Sequence, residues 1–289
     1  MNRQLYLECY SGISGDMTVA ALLDLGADEQ ILRKALASLP VGGFEIAVTR
    51  KVKSGLDVCD FDVILDAEHE NHDHDMEYLH GHDHQHTHDH VHEDGSVHTH
   101  EHHHHDHSHE HHHDHGHHHE HRGLHEILHI IEHADMTERA KETAVRIFQI
   151  LAEAESKAHG VPADQVHFHE VGAVDSIVDI LAVAICLDNL DITEVIVPFL
   201  CEGQGSIRCQ HGIIPVPVPA VVNIAQAHRL TLKPTGVQGE LVTPTGAAIV
   251  AAVRTSDKLP QTCRIVKIGM GAGKREYECV GVLRAMMIA

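Results

Sequence analysis

Tryptophan is absent from this chain, and only nine of its 289 residues are Phe or Tyr. A core of any size must therefore be built from Leu, Ile, Val and Ala. Cysteine is sparse and irregular. The seven thiols (Cys9, Cys59, Cys186, Cys201, Cys209, Cys263 and Cys279) are odd in number and never spaced C-x-x-C, which excludes a disulfide framework or a thiolate zinc site as the organising feature. No stretch reaches the roughly 20 apolar residues of a membrane span, and the N-terminus runs into a strand-like segment in place of a signal peptide. A cytoplasmic location away from membranes is the expectation. With 21 basic against 43 acidic residues, the chain lacks the Lys and Arg patches that phosphate neutralisation requires, so nucleic acid is not an expected partner.

Histidine is what the sequence has in excess, and 26 of the 34 histidines lie between His69 and His121. From Asp66 to His121 there are 15 acidic residues and no Lys or Arg, so this segment carries 15 of the 22 net negative charges. It has almost nothing apolar to bury and cannot offset roughly 1 to 2 kcal/mol of backbone entropy per ordered residue. The composition predicts a disordered acidic loop over 67–122, ordered at most locally by bound metal. Imidazole and carboxylate offer overlapping ligand sets for Ni, Co, Cu or Zn with little discrimination among them. The expected ligands are His82, His84, His86, His88, His90, His102, His103, His104, His105, His111, His112, His113, His117, His118 and His119. An acidic spacer with no metal role is the alternative that composition leaves open.

The loop divides an N-terminal part, 1–66, from a main part, 123–289. Strand-like and helix-like segments alternate through both, which predicts an α/β core, with mixed α+β as its near relative. Gln4 to Tyr10 reads as a strand, Ser11 to Asp16 as a small-residue turn and Met17 to Leu25 as a helix. A helix is expected over 28–39 and strands near 44–51 and 61–65. Helical spacing resumes at Leu124 to His133, where His125, His129 and His133 share one face; they suit either metal chelation or a solvated surface. Asp135 and Glu138 resemble a capping box ahead of an apolar stripe of Ala140, Ala144, Ile147, Phe148 and Leu151. Further strands are expected over 195–199, 264–270 and 280–288, a helix over 219–227, and a proline-stiffened loop over 211–219.

Several small constellations carry possible chemistry. His167, His169 and Glu170 precede a predicted helix, 174–187, on which Asp175 and Asp179 lie one turn apart. Together they could ligate a divalent ion or transfer protons. His211 heads the proline-rich loop. Ser14, Gly15 and Asp16 close the first glycine turn, whose backbone N–H groups could face an anion. Thr243 is placed to cap a helix beginning at Pro244, with Thr245 in its first turn; capping and anion binding explain it equally. Lys274 and Arg275 follow a glycine-rich turn and suit a phosphate.

Taken together, the segments SGISGDM (11–17), HFHEVGAVDSIVDI (167–180), HGIIPVPVPA (211–220), GELVTPTGAA (239–248) and GMGAGKRE (269–276) resemble the nickel-insertion proteins of nickel-pincer nucleotide cofactor synthesis, the LarC family. The resemblance implies a lyase-type cyclometallase. It would place Ni(II) in pyridinium-3,5-bisthiocarboxylic acid mononucleotide through two Ni–S bonds and one Ni–C bond, with CTP consumed and Mn(II) or Mg(II) assisting. The product would serve lactate racemase. Longer members of the family continue into a small C-terminal CTP-binding domain, so a C-terminal partner is expected, as is a homo-oligomer. On this reading His167, His169, Glu170, Asp175, Asp179 and His211 are the candidate catalytic residues. Ser14, Gly15, Asp16, Thr243, Thr245, Lys274 and Arg275 are the candidate cofactor-binding ones. A nickel store or metallochaperone that only presents the loop is the alternative.

Overall fold

Leu5 and Leu7 enter the main hydrophobic core, while Tyr6 between them joins a separate cluster with Ile196, Met286 and Ile288. That is the two-faced pattern of a strand in a sheet. The computed structural model describes residues 3–66, 89–91, 97–99, 123–163, 166, 174–209 and 212–289. In chain order the first elements are β1 (Gln4–Glu8), α1 (Gly15–Asp24), α2 (Glu29–Ala37), β2 (Phe44–Lys53), β3 (Leu56–Leu65), β4 (Asp89–Val91) and β5 (Val97–Thr99). They are followed by α3 (Leu124–His133), α4 (Glu138–His159), α5 (Val174–Asn189), β6 (Glu194–Ile196), β7 (Leu200–Gln204), β8 (Ser206–Cys209) and β9 (Gly212–Pro215). The chain continues through α6 (Pro219–His228), β10 (Leu232–Gln238), α7 (Pro244–Val253), β11 (Ile265–Ala272) and β12 (Val282–Ile288).

Six strands form one mixed sheet in the order β2-β3-β11-β12-β1-β6. β1 pairs parallel to β6 and antiparallel to β12, β12 is antiparallel to β11, and β11 is parallel to β3. Hence β1, β3, β6 and β11 all end at the same edge of the sheet. The turn after β1, the His-rich segment after β3 and the glycine-rich turn after β11 leave from that edge. Strands from both sides of the His-rich segment thus share one sheet. β7 and β10 form a separate parallel pair, and β8 with β9 an antiparallel hairpin.

Glycine sets how closely the helical layer approaches. A Cβ at Gly269 would lie 2.1 Å from the Ala21 carbonyl oxygen, and one at Gly271 would lie 2.0 Å from that of Met17. Only bare backbone in β11 lets α1 lie against the strand. Beside α1 runs α5, buried along most of its surface: Ile177, Val178, Ile180, Leu181, Ala182, Val183 and Ala184 are all at most 1 % exposed. The expected stripe of α4 is buried as well. No helix among the described residues is long and apolar enough to cross a membrane.

The mixed α/β expectation holds, with local corrections. The cap of α4 is Thr137, whose hydroxyl accepts from Ala140 N, and not Asp135. β3 begins five residues before the expected 61, because its first half pairs across a tight hairpin with β2. Gly212–Pro215 is a strand and not a loop: its proline stands at the end of an isolated two-stranded ribbon, where a missing N–H is tolerated. The expected disorder of 67–122 falls largely outside the described residues. Within it the backbone of β4 pairs with β5, setting His90 opposite His98.

Gly269→Ala should separate α1 from the sheet and cost about 3 kcal/mol, in the range of overpacked cores. Gly42→Ala, where a Cβ would meet nothing within 4 Å, should stay within about 0.5 kcal/mol of the parent. Urea denaturation of the two variants checks the contrast.

Candidate functional site

The turn after β1 is held to a second loop by backbone alone. Ile13 N donates to the Leu241 carbonyl at 2.9 Å, and Thr243 N donates to the Ile13 carbonyl at 3.1 Å. Two glycines permit this approach. A Cβ at Gly12, whose φ is +84°, would lie 1.9 Å from the Leu241 oxygen, and one at Gly246 would lie 2.2 Å from the Ile13 oxygen. As a result α1 and α7 begin side by side. Thr243 caps α7 as expected, its Oγ1 accepting from Gly246 N at 3.1 Å, and Thr245 is buried in the first turn.

A third helix reaches the same place. A Cβ at Gly15 would lie 2.5 Å from Asp179 Oδ2, so the missing side chain at the start of α1 makes room for a carboxylate from α5. The Asp16 backbone N–H donates to that carboxylate. Ser14 occupies the N-cap position of α1 without capping it, and its hydroxyl instead donates to Asp16 Oδ1. Asp175, one turn before Asp179, accepts from Ser176 N at 2.8 Å.

Burial pushes the Asp179 carboxyl well above the usual carboxylate range, and the negative charges of Asp16 and Asp175 push it further. Lys274 opposes both, and so does the N–H bond from Asp16. Lys274 itself bonds Asp62 at 2.5 Å. Its burial works against its charge, but Asp16, Asp62 and Asp179 outweigh that and raise its pKa. The arrangement is a carboxyl whose proton affinity is raised by burial and by its acidic neighbours, with a lysine that compensates in part when it ionises.

Gly15, Asp16 and Lys274, read from the sequence as anion-binding candidates, and Asp175 and Asp179, read as metal- or proton-handling ones, lie together in the structure. Arg275 goes elsewhere: it pairs at 2.8 Å with Glu240, which is 6 % exposed, and so buttresses the loop that carries Thr243. His167, His169, Glu170 and His211 lie outside the described residues, as do the loop histidines apart from the backbone of His90 and His98. Their flanks are described. A Cβ at Gly123, where the chain returns from the His-rich segment, would lie 4.0 Å from the carbonyl oxygen of Val166, directly before His167. At the other end, Asp66 N donates to the Gly43 carbonyl at the finish of β3. The exposed rings of His129 and His133 stack at 4.2 Å, and His133 Nδ1 bonds the His129 carbonyl at 2.9 Å, an arrangement that favours the solvated face over chelation.

One residue of the site was not foreseen. Glu202 in β7 is 1 % exposed, and its Oε1 accepts from Gly203 N, Leu241 N and Val242 N at 2.7, 2.9 and 3.2 Å. Its Oε2 is buried without a partner among the described residues. Burial raises its pKa against the pull of the three N–H groups. Nothing in the sequence around Cys201 and Gly203 signals this role, which depends on a loop about forty positions away.

The side chains of this site bear on whether Mn(II) or Mg(II), which the resemblance implies, could reside there. Among the described residues no three His, Cys, Asp or Glu groups are disposed to hold a metal ion, and a lysine already balances the acidic trio. The described residues do not fit a resident divalent ion.

Two outcomes follow from these contacts. Because the native pKa of Asp179 is raised, its stability penalty is absent below the ordinary carboxylate range and grows as pH rises through the native value. Asp179→Asn should therefore be more stable than the parent at pH 8, with the difference vanishing near pH 4, as read by urea denaturation at both pH values. Glu202→Ala should cost about 3 kcal/mol by stranding buried N–H groups, while Glu202→Gln, which keeps the accepting oxygen, should lose under about 1 kcal/mol in the same assay.

Comparison with known proteins places the chain in a family. The family described as nickel insertion protein matches residues 5–289. The pyridinium-3,5-bisthiocarboxylic acid mononucleotide nickel insertion protein of Alkaliphilus metalliredigens is 49 % identical over 288 residues, covering 100 % of this chain and 61 % of that protein. Proteins of the same description are 42 % identical in Clostridium acetobutylicum and 36 % identical in Acetivibrio thermocellus, each over 99 % of this chain and over 64 % and 60 % of the relative. The chain thus spans about three-fifths of the length of these relatives. No solved structure matches it. By the extent of the family match, the chain belongs to the nickel insertion protein family.

Proposed function

We propose that this chain carries the metal-inserting site of a cyclometallase. On this reading it places Ni(II) in pyridinium-3,5-bisthiocarboxylic acid mononucleotide, giving the nickel-pincer nucleotide that lactate racemase uses. The observation that carries the reading is Asp179. It is a carboxyl with a raised pKa, flanked by Asp16, Asp175 and Lys274, at the sheet edge from which the His-rich segment departs.

The chemistry asks for a proton acceptor. As nickel takes two thiocarboxylate sulfurs and the pyridinium C4, the C4–H bond breaks, its electron pair becomes the Ni–C bond, and the proton must leave. Asp179 is the group best placed to receive it, since a carboxylate with a raised pKa is the stronger base. Lys274 favours the ionised form of Asp179 and so offsets part of the effect of burial. The start of α1 and α7, with their N–H groups turned to the same edge, favours the negative charges of the nucleotide. His167, His169 and Glu170 immediately precede α5 and are assigned to receive nickel from the loop. A tethered donor works at roughly millimolar effective concentration, so the His-rich segment supplies nickel while the core performs insertion.

CTP consumption, with Mn(II) or Mg(II), belongs to the same reading through the family resemblance. The described residues offer no site for that ion. The relatives' greater length favours a second form of the proposal, in which this portion requires a C-terminal CTP-binding partner.

The test is mass spectrometry of the nucleotide after incubation with the protein, Ni(II), Mn(II) and CTP, with a control lacking CTP. A CTP-dependent gain of one nickel establishes insertion by this chain alone. No gain without a partner, and a gain once the C-terminal portion of a relative is added, establishes the partnered form; nickel binding with no gain in either case leaves a store. In the active system Asp179→Asn should lower the insertion rate by about 100-fold or more, with nickel loading of the loop unchanged by equilibrium dialysis. Loading itself should fall as pH drops through about 6.5, where imidazole protonates.

A further inference from the structure

Two aromatic rings sit at the edge of the sheet where β1 ends and belong to neither the main core nor the small cluster around Tyr6. Tyr10 and Phe199 stack with centroids 5.4 Å apart and planes 5° from parallel, although Tyr10 is 54 % exposed. Cys9 bridges Leu200 in parallel and accepts from Cys201 N at 3.1 Å, which makes Tyr10 and Phe199 diagonal neighbours across that bridge. Burial raises the pKa of the Tyr6 phenol, and the Tyr10 side chain lies close enough to raise it further. Lys233, opposite Cys201 in the β7–β10 pair, places its ammonium 5.0 Å from the Phe199 centroid. Among the described residues no carboxylate pairs with that ammonium.

Such a shelf has a definite ligand chemistry. Phe199 takes one face of Tyr10, and the exposure of Tyr10 leaves ring surface open to solvent. The face of a phenol ring is electron-rich and attracts flat, electron-poor or cationic rings. A free ammonium at the other end of the stack suits a phosphate or carboxylate. Tyr10 is four residues from Ser14, so the two are within about 14 Å even if the turn were fully extended. A mononucleotide can bridge that distance.

We propose that Tyr10 is the stacking platform for the pyridinium ring of the nucleotide and Lys233 an anchor for its anionic groups, an assignment that rests on the function proposed above. The ring lies on Tyr10 with its reacting edge toward the start of α1. Tyr10 is thus a positioning and specificity residue: it selects a cationic ring over a neutral base, and takes no proton.

The experiment uses the 289-residue chain and three probes: nicotinic acid mononucleotide, which has a pyridinium ring; CMP, which has a neutral base; and ribose 5-phosphate, which has no ring. Calorimetry gives each affinity, and with no tryptophan in the chain quenching of tyrosine fluorescence reports stacking. Tyr10→Ala should weaken nicotinic acid mononucleotide about tenfold and abolish the quenching while leaving ribose 5-phosphate unchanged, and Tyr10→Phe should restore binding. Lys233→Gln should weaken all three probes alike. Equal affinity of the parent and Tyr10→Ala for the pyridinium nucleotide would overturn the platform alone. An equal loss for CMP would overturn its selectivity for a cationic ring. If the unaltered protein binds no pyridinium nucleotide at all, both the platform and the function it rests on fail.

Discussion

The site depends on one steric fact: there is no side chain at Gly15. A Cβ there would collide with the Asp179 carboxylate, so the first turn of α1 and the second turn of α5 share a space that only glycine leaves open. Once Asp179 is there, the rest follows electrostatically. A carboxylate removed from water beside two others cannot easily hold its charge. The structure answers with a backbone N–H from Asp16 and an ammonium from Lys274, itself tied to Asp62. The proton affinity of the site is thus a product of packing.

Similar contacts recur around it. Gly12 and Gly246 let the turn after β1 and the loop before α7 lie backbone to backbone. Glu202 collects three N–H groups from β7 and that loop, and Arg275 with Glu240 supports the loop from another side. These groups hold two helix starts in one place, where small displacements would alter both the field at Asp179 and the room for a nucleotide. Rigidity here contrasts with the composition of the His-rich segment, which is suited to gathering metal ions without choosing among them. In the proposed function, supply and insertion place opposite demands on the chain, and the two fall to the loop and the core respectively.

Much of this was legible in order along the chain. Alternation marked β1, helical spacing marked α3, α4 and α5, and the Thr243-Pro244 cap was correct in detail. Asp175 and Asp179 could be placed on one face of a helix because their spacing is local. Readings failed where pairing came from afar. The first half of β3 lacks apolar continuity and is made a strand by β2, and Gly212–Pro215 is made one by β8. Glu202 was invisible because its partners, apart from the adjacent Gly203, lie some forty residues on.

By itself the sequence determined the chemistry available: imidazole and carboxylate in abundance, an aliphatic core, glycines at the turns, and paired aspartates on one helix face. Periodicity and composition are local properties, and a single chain displays them directly. Only the tertiary structure decided which of those groups meet. It joined Asp16, Asp179 and Lys274, sent Arg275 to Glu240, and stacked Tyr10 on Phe199 beside Lys233. Such meetings depend on strand order and on the closeness of backbones, which are set by the packing of the whole chain and have no signature within any one segment.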